Sequence, residues 1–280
     1  MPNRHHPKPG QHLYRFNGGL HLPDNKAQSL TSPLTQAALP KRLTVPLQQH
    51  IGDISQPLVT VGDQVLKGQM LAKPQGFISA PVHAPSSGTV VAIEELPVPH
   101  PSGLSAPCII IETDGEDLWG KLPEPMTNYR EVDPSLLRER IRISGVVGLG
   151  GAAFPSSVKL TPGPDNPIHT LVINGAECEP YITCDDLLMR QHADELLDGI
   201  GIIHHLVAAK QCLVGIEDNK PEAIKHLRQR VREQGLEWIK VIAIPTLYPS
   251  GGEKQLIQIL TGKQVPSGGI PAQIGIVCHN

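Results

Sequence analysis

From residue 168 to 278 short apolar runs alternate with helical patterns, and that alternation leaves few folds open to the chain. Strands are expected at 168–173, 212–216, 238–244 and 273–278, with helices over 185–209, 221–234 and 252–260. Strands separated by helices imply a parallel sheet, because parallel neighbours need a long crossover between them. Pro221 suits a helix start and Gly235 a helix end. In open sheets of this kind, ligands collect beyond the carboxyl ends of the strands. That rim would carry residues 174–179, residues 246–253 and the chain end at Asn280.

Ahead of the first of these strands lies a glycine loop, Gly145-Val-Val-Gly148-Leu149-Gly150-Gly151-Ala-Ala153-Phe154-Pro155, followed by Ser156-Ser157-Val158-Lys159. Glycines let a backbone approach a bulky anion, since no Cβ stands in the way. Pro155 suits a helix start, where free N–H groups attract phosphate, and Lys159 would add a full positive charge. After the strand come two closely spaced acids, Glu177 and Glu179, with Cys178 between them and Asn174 just before. Together these point to a phosphate-bearing cofactor. The usual dinucleotide fingerprint does not fit: Ala153 stands where its third glycine belongs, and a helical pattern, 133–143, precedes the loop instead of a strand. Gly251-Gly252-Glu253-Lys254 fails as a P-loop, because Gln255 takes the place of the magnesium-binding hydroxyl.

Residues 41–113 change character, to β-branched alternation punctuated by turn glycines, as half-buried strands require. Val61-Gly62-Asp63-Gln64-Val65 and Ala84-Pro85-Ser86-Ser87-Gly88-Thr89-Val90 resemble the turns of the biotinyl/lipoyl sandwich. An acyl carrier of that type needs a lysine at the exposed hairpin tip. The tip region here reads Gly76-Phe77-Ile78-Ser79-Ala80, and the nearest lysine, Lys73, falls too early, so a structural or docking module is expected.

At 280 residues the chain has room for about two domains. A net charge of −3 gives no general pull toward nucleic acid or an anionic membrane surface, and 3% aromatic content argues against base-stacking platforms. Five scattered cysteines contain no C-x-x-C, so no local motif can hold zinc or an iron–sulfur cluster; Cys108 and Cys212 read as small core residues in a reducing compartment. No signal peptide is visible, and the longest apolar stretch, 196–209, is too short to span a bilayer. Residues 1–39, rich in Pro, His and Gln, read as an extended, partly disordered arm; His5, His6, His12 and His21 have no further ligand placed to complete a metal site. The expected plan is an arm at 1–40, a small β-sandwich at 41–113, a linker at 114–133 and an α/β domain at 134–280.

The glycine loop with Lys159, the Asn174-x-x-Glu177-x-Glu179-Pro180 strand end and Tyr248-Pro-Ser-Gly251-Gly-Glu253 are similar, in order and spacing, to the FMN-binding subunit of respiratory complex I. The likeness is closer to the related RnfC (RsxC) subunit of the bacterial Rnf electron-transport complex. Phe16-Asn17-Gly18-Gly19, residues 82–89, 176–183 and 261–266 all resemble it, so the likeness runs from Tyr14 onward. It implies an α/β plus β fold: a biotinyl/lipoyl-like barrel-sandwich domain, then a complex I-like flavin-binding α/β domain. It further implies FMN held by Gly148, Gly150, Gly151, Phe154 and Lys159, by Asn174 and Glu177, and by Tyr248, Gly251 and Glu253, with Asn280 at the next strand end. Glu179 would face NADH. No side chain is expected to be catalytic, since the flavin carries the chemistry. Against the complex I pattern Leu149 replaces an arginine, Ala176 an aspartate and Gly252 a glutamate.

The resemblance also implies two [4Fe–4S] clusters in a longer protein, whose ligands lie beyond residue 280, so the chain reads as an N-terminal fragment. Its expected role is electron input between NAD(H) and ferredoxin, at the cytoplasmic face of the bacterial inner membrane. There it would be peripheral, held by the membrane and ferredoxin-like subunits of the complex. The alternative is a non-catalytic docking or scaffold subunit.

Overall fold

The computed structural model of the chain describes residues 13–100, 102–149, 153–163 and 165–280; His5, His6 and His12, with Gly150 and Gly151 of the glycine loop, lie outside them. The chain divides into two compact units, Gln36–Thr161, and Pro162–Asn280 together with Met1–Thr35. The division thus falls after the glycine loop, whereas sequence reading put it near residue 134. The N-terminal segment groups with the α/β unit, where it contributes a single helical turn, α1 (Lys26–Ser29).

The first unit is built from β1 (Arg42–Pro46), β2 (Gln56–Pro57), β3 (Gln64–Val65), β4 (Met70–Lys73), β5 (Val82–His83), β6 (Gly88–Pro97) and β7 (Ser105–Thr113). They form an antiparallel sheet ordered β1-β7-β6-β3 and a small one ordered β2-β4-β5. Val45, Leu47, Val65, Leu71, Val82, Val90, Ile109 and Ile111 fill a single core. The β4–β5 hairpin carries the exposed tip expected from the sequence, with Phe77 70% exposed and no lysine between Pro74 and Pro81. Residues 114–120 are no free linker. Ser87 and Ser86 hydroxyls donate to Asp114 and Asp117, both at 2.8 Å, and Lys67 Nζ donates to Asp117 at 2.6 Å.

Gly52 adopts φ 106°, and a methyl group there would run into the Ile78 carbonyl of the tip. Gly52→Ala is therefore expected to destabilise this unit by roughly 1–3 kcal/mol, from overpacking on a strained backbone. Chemical denaturation of the two proteins checks it.

The unit ends in α2 (Pro134–Ile143) and α3 (Ser156–Lys159). Asp133 caps α2, accepting from the Ser135 N–H at 2.7 Å, and Pro134 occupies the first helical position, as the Asp-Pro start predicts.

The second unit is the expected parallel sheet: β8 (Thr170–Gly175), β9 (Gln211–Glu217), β10 (Ile239–Ile244) and β11 (Ile276–His279), ordered β10-β9-β8-β11. All six residues of β8 are buried, as in a strand covered on both faces. The connections are α4 (Cys184–Gln191), α5 (Ala193–Val207), α6 (Pro221–Glu233) and α7 (Glu253–Thr261). Leu256, Ile257, Ile259 and Leu260 of α7 pack with Val172, Leu213, Ile242 and Ile276.

Two expectations change. The helix foreseen over 185–209 is broken at His192, which leaves helical geometry at φ −127°, ψ 39° and lets α5 bury Ala193, Leu197 and Ile200. The last strand starts at Ile276 and not at 273, because Pro271–Ile274 forms a 3-10 turn closed by Gly275 at φ 73°.

Candidate functional site

Strand order fixes where a ligand belongs in the α/β unit. From β8 the chain steps to β9 and β10 on one side, then returns to place β11 on the other. The rim beyond the carboxyl ends of β8 and β11 is thus the topological switch point, where open parallel sheets bind ligands. Asn174 stands near the end of β8. Asn280 follows His279, which pairs with Ile173, so both asparagines lie on this rim.

Glu177 begins the loop after β8 and is 3% exposed. Its Oε1 accepts the Asp185 N–H at 2.9 Å and the Cys184 thiol at 3.3 Å. It thereby satisfies one of the free N-terminal amides of α4, which the Thr183 side chain leaves uncapped. Its Oε2 is buried and accepts no hydrogen bond from the described residues. The nearest cation is Lys26, whose Nζ stands 3.9 Å away. Lys26 is itself 6% exposed and donates to the carbonyls of Glu179 at 3.0 Å and Ile182 at 2.6 Å. Glu179 projects an exposed side chain from the same turn.

Beside this turn lies a second buried charge pair. Lys220 Nζ donates to Glu217 Oε2 at 2.8 Å, to Asn219 Oδ1 at 3.0 Å and to the Glu177 carbonyl at 3.4 Å. Ser250 Oγ donates to the other Glu217 oxygen at 3.1 Å. The turns that follow β8, β9 and β10 are thereby tied into one polar network. Asn174 adds to it: its Nδ2 donates to the Gly251 carbonyl at 2.8 Å, and its Oδ1 accepts from the Ala176 N–H at 3.1 Å. Any Cβ at Gly251 would lie 3.0 Å from the Ala176 carbonyl, so this close approach favours glycine. Cys178 packs against the same glycine, and burial pushes its thiol pKa up. Tyr248 is 37% exposed, and Glu253 opens α7.

Asp185 shares the acidic side of the turn. Burial first, and then the Glu177 carboxylate, raise its pKa against the pull of Lys220 and Lys26. A carboxyl whose pKa is higher in the folded state favours the fold while protonated. That contribution disappears as pH rises from the ordinary value, 3.8, through the raised one. Ionised Asp185 consequently costs stability at neutral pH. Asp185→Asn is expected to raise the melting temperature at neutral pH and to lose that advantage below about pH 4; thermal melts at the two pH values decide. Glu177, Cys184 and Asp185 hold ligand atoms within 4.8 Å of one another, but Lys26 already places a cation beside Glu177.

In the barrel unit, the Gly148 N–H donates to the Phe154 carbonyl at 3.0 Å and the Ser156 N–H to the Val146 carbonyl at 3.0 Å, closing the glycine loop at its base. Leu149 is 89% exposed and Phe154 half-buried. Pro155 precedes the helix instead of starting it, and α3 is a single turn, so the helix-terminus field expected there is that of one turn only. Lys159 closes that turn, half-buried.

The structure therefore brings Asn174, Glu177, Glu179 and Gly251 together at one rim, with Asn280 on the same rim. It adds Lys26, Glu217, Lys220 and Ser250, none of which the sequence singled out. Lys220 ahead of Pro221 and Glu217 at a strand end carried a weak signal; Lys26, in a segment without periodicity, carried none.

Comparison with known proteins agrees with this architecture. The Nuo51 FMN-binding domain family matches residues 141–280, and the RnfC barrel sandwich hybrid domain family matches residues 14–116. The C subunit of the ion-translocating oxidoreductase complex of Pseudomonas aeruginosa is 53% identical over 268 residues, 96% of this chain and 34% of that protein. Its counterpart from Yersinia pestis bv. Antiqua is 50% identical, again over 96% of this chain and 42% of that protein. The chain spans well under half the length of these curated relatives. A crystal structure of an NAD+-reducing [NiFe]-hydrogenase aligns with a TM-score of 0.46 at 24% identity, over 53% of this chain and 28% of that one. With a barrel sandwich hybrid domain joined to a Nuo51 FMN-binding domain, the chain belongs to the RnfC family.

Proposed function

We propose that the chain is the flavin-holding part of an electron-input subunit. In its longer form that subunit passes electrons between NAD(H) and ferredoxin, by way of FMN and two [4Fe–4S] clusters, within a membrane-bound ion-translocating complex. The observation that carries this reading is the buried Oε2 of Glu177 at the switch point of an FMN-binding-family domain. A buried carboxylate oxygen without a donor is costly, and it suits a ligand that brings an N–H or O–H. By chemical type the residues fit FMN. The glycine loop (Gly148, Gly150, Gly151, Phe154) and Lys159 offer close backbone approach and an ammonium for a phosphate. Asn174, Glu177, Tyr248, Gly251, Glu253 and Asn280 offer polar and aromatic groups for the ring and ribityl chain, and the exposed Glu179 would meet a nicotinamide nucleotide.

Bound FMN would supply acceptance of a hydride as an electron pair and release of electrons singly. The residues of this chain bind, orient and keep water out; none of them is needed as a nucleophile. In this reading the subunit sits at the cytoplasmic face of the inner membrane through partner subunits of the complex. Among the described residues no helix is long and apolar enough to cross a membrane.

The test is an absorbance spectrum of protein loaded with FMN and desalted, before and after anaerobic NADH. Retained yellow colour that bleaches with NADH is expected. A protein that stays colourless, with no change in the flavin bands on titration, overturns the reading in favour of a docking role.

A further inference from the structure

The N-terminal segment crosses the carboxyl-end rim of the α/β unit and touches the turn after each of three strands. Leu20 and Tyr248 exchange two backbone hydrogen bonds, of 2.7 and 2.9 Å, which hold it to the turn after β10. Asp24 accepts from Asn219 Nδ2 at 3.3 Å after β9, and its carbonyl accepts the Tyr181 N–H at 2.8 Å after β8. Further back, the Tyr14 N–H donates to the Ile259 carbonyl at 3.0 Å and Gln258 Nε2 to the Arg15 carbonyl at 2.9 Å, anchoring the segment on α7. At its far end the chain turns through Asn25 at φ 51° and buries Lys26.

Burying an ammonium costs several kcal/mol unless oxygen ligands replace its water. Lys26 finds them in the backbone of the 177–182 turn, on the carbonyls of Glu179 and Ile182. Its third partner, Glu177 Oε2, stays beyond hydrogen-bonding distance at 3.9 Å, so the carboxylate is attracted without being consumed.

We infer that Lys26 is a positioning residue of the cofactor site: its ammonium clamps the 179–182 backbone and thereby sets where Glu177 and Glu179 stand for flavin and nicotinamide nucleotide. This rests on the flavin reading above. It assigns a role in the redox site to a segment that the family division places with the barrel, within residues 14–116.

The experiment compares wild-type, Lys26→Met and Lys26→Arg in the intact protein saturated with FMN, measuring FMN affinity and the dependence of flavin bleaching on NADH concentration. K26M is expected to weaken FMN at least fivefold and to raise KM for NADH about tenfold, while kcat stays within threefold. K26R, which keeps the charge and the donors, is expected to recover most of both. A K26M protein with wild-type affinity and KM, or a K26R protein no better than K26M, overturns the inference. If K26M does not fold, Lys26→Gln takes its place, with the same outcomes required. Wild-type protein that takes up no FMN overturns the flavin reading itself, and the two failures are told apart by that control.

Discussion

Lys220→Met is expected to lower the stability of the α/β unit by about 3–5 kcal/mol, the usual cost of stripping the partner from a buried charge. The side chains of Glu217 and Lys220 are 0% and 1% exposed, so water cannot take over the solvation of either one. At about 2–4 °C per kcal/mol for chains of this size, the melting temperature should fall by roughly 10 °C. The loss should be largely reversed by adding Glu217→Gln. That double variant removes both charges, and the glutamine oxygen can still accept from Ser250. A double variant as unstable as the single one would mean that the damage comes from lost packing and not from the unpaired carboxylate.

Glu177→Gln and Lys159→Met are each expected to weaken FMN binding roughly ten- to a hundredfold, the size of one charge-assisted hydrogen bond, about 1.5–3 kcal/mol. The glutamine of E177Q would keep the shape of the turn and still accept the Asp185 N–H, so a large loss of affinity with little loss of stability separates binding from folding. Lys159 belongs to the other compact unit, so the two single variants and the double variant are compared to see whether the effects add in free energy. Titration of flavin fluorescence measures both. An E177Q protein that binds FMN within threefold of wild-type would remove Glu177 from the site.

What the sequence made legible was whatever local pattern encodes. Asp133-Pro134 and Pro221 announced their helices because capping and fixed φ are properties of a few adjacent residues. The parallel sheet was readable because its strands are apolar runs cut by helical spacing. The break at His192 was not, since neither glycine nor proline marks it and only the burial of Ala193 and Leu197 selects the new direction. That the glycine loop groups with the barrel unit was equally hidden. Gly145, after α2, stands so close to β5 that a Cβ would lie 3.0 Å from the Pro81 carbonyl and 3.3 Å from the His83 ring, contacts more than sixty residues away in sequence. At the site, Glu177, Glu179 and Asn174 were visible because they flank an apolar strand end. Lys26 was not, because the order of its segment comes from backbone pairing with Tyr248 and Tyr181, far along the chain.

The most direct test of the flavin assignment is hydrogen–deuterium exchange of the intact protein with and without FMN. The account predicts that amides in 145–159, 174–182 and 246–253 slow together when FMN is added, with half-effects at one common concentration. Exchange unchanged by FMN in 174–182, or protection confined to segments away from all three stretches, would contradict it.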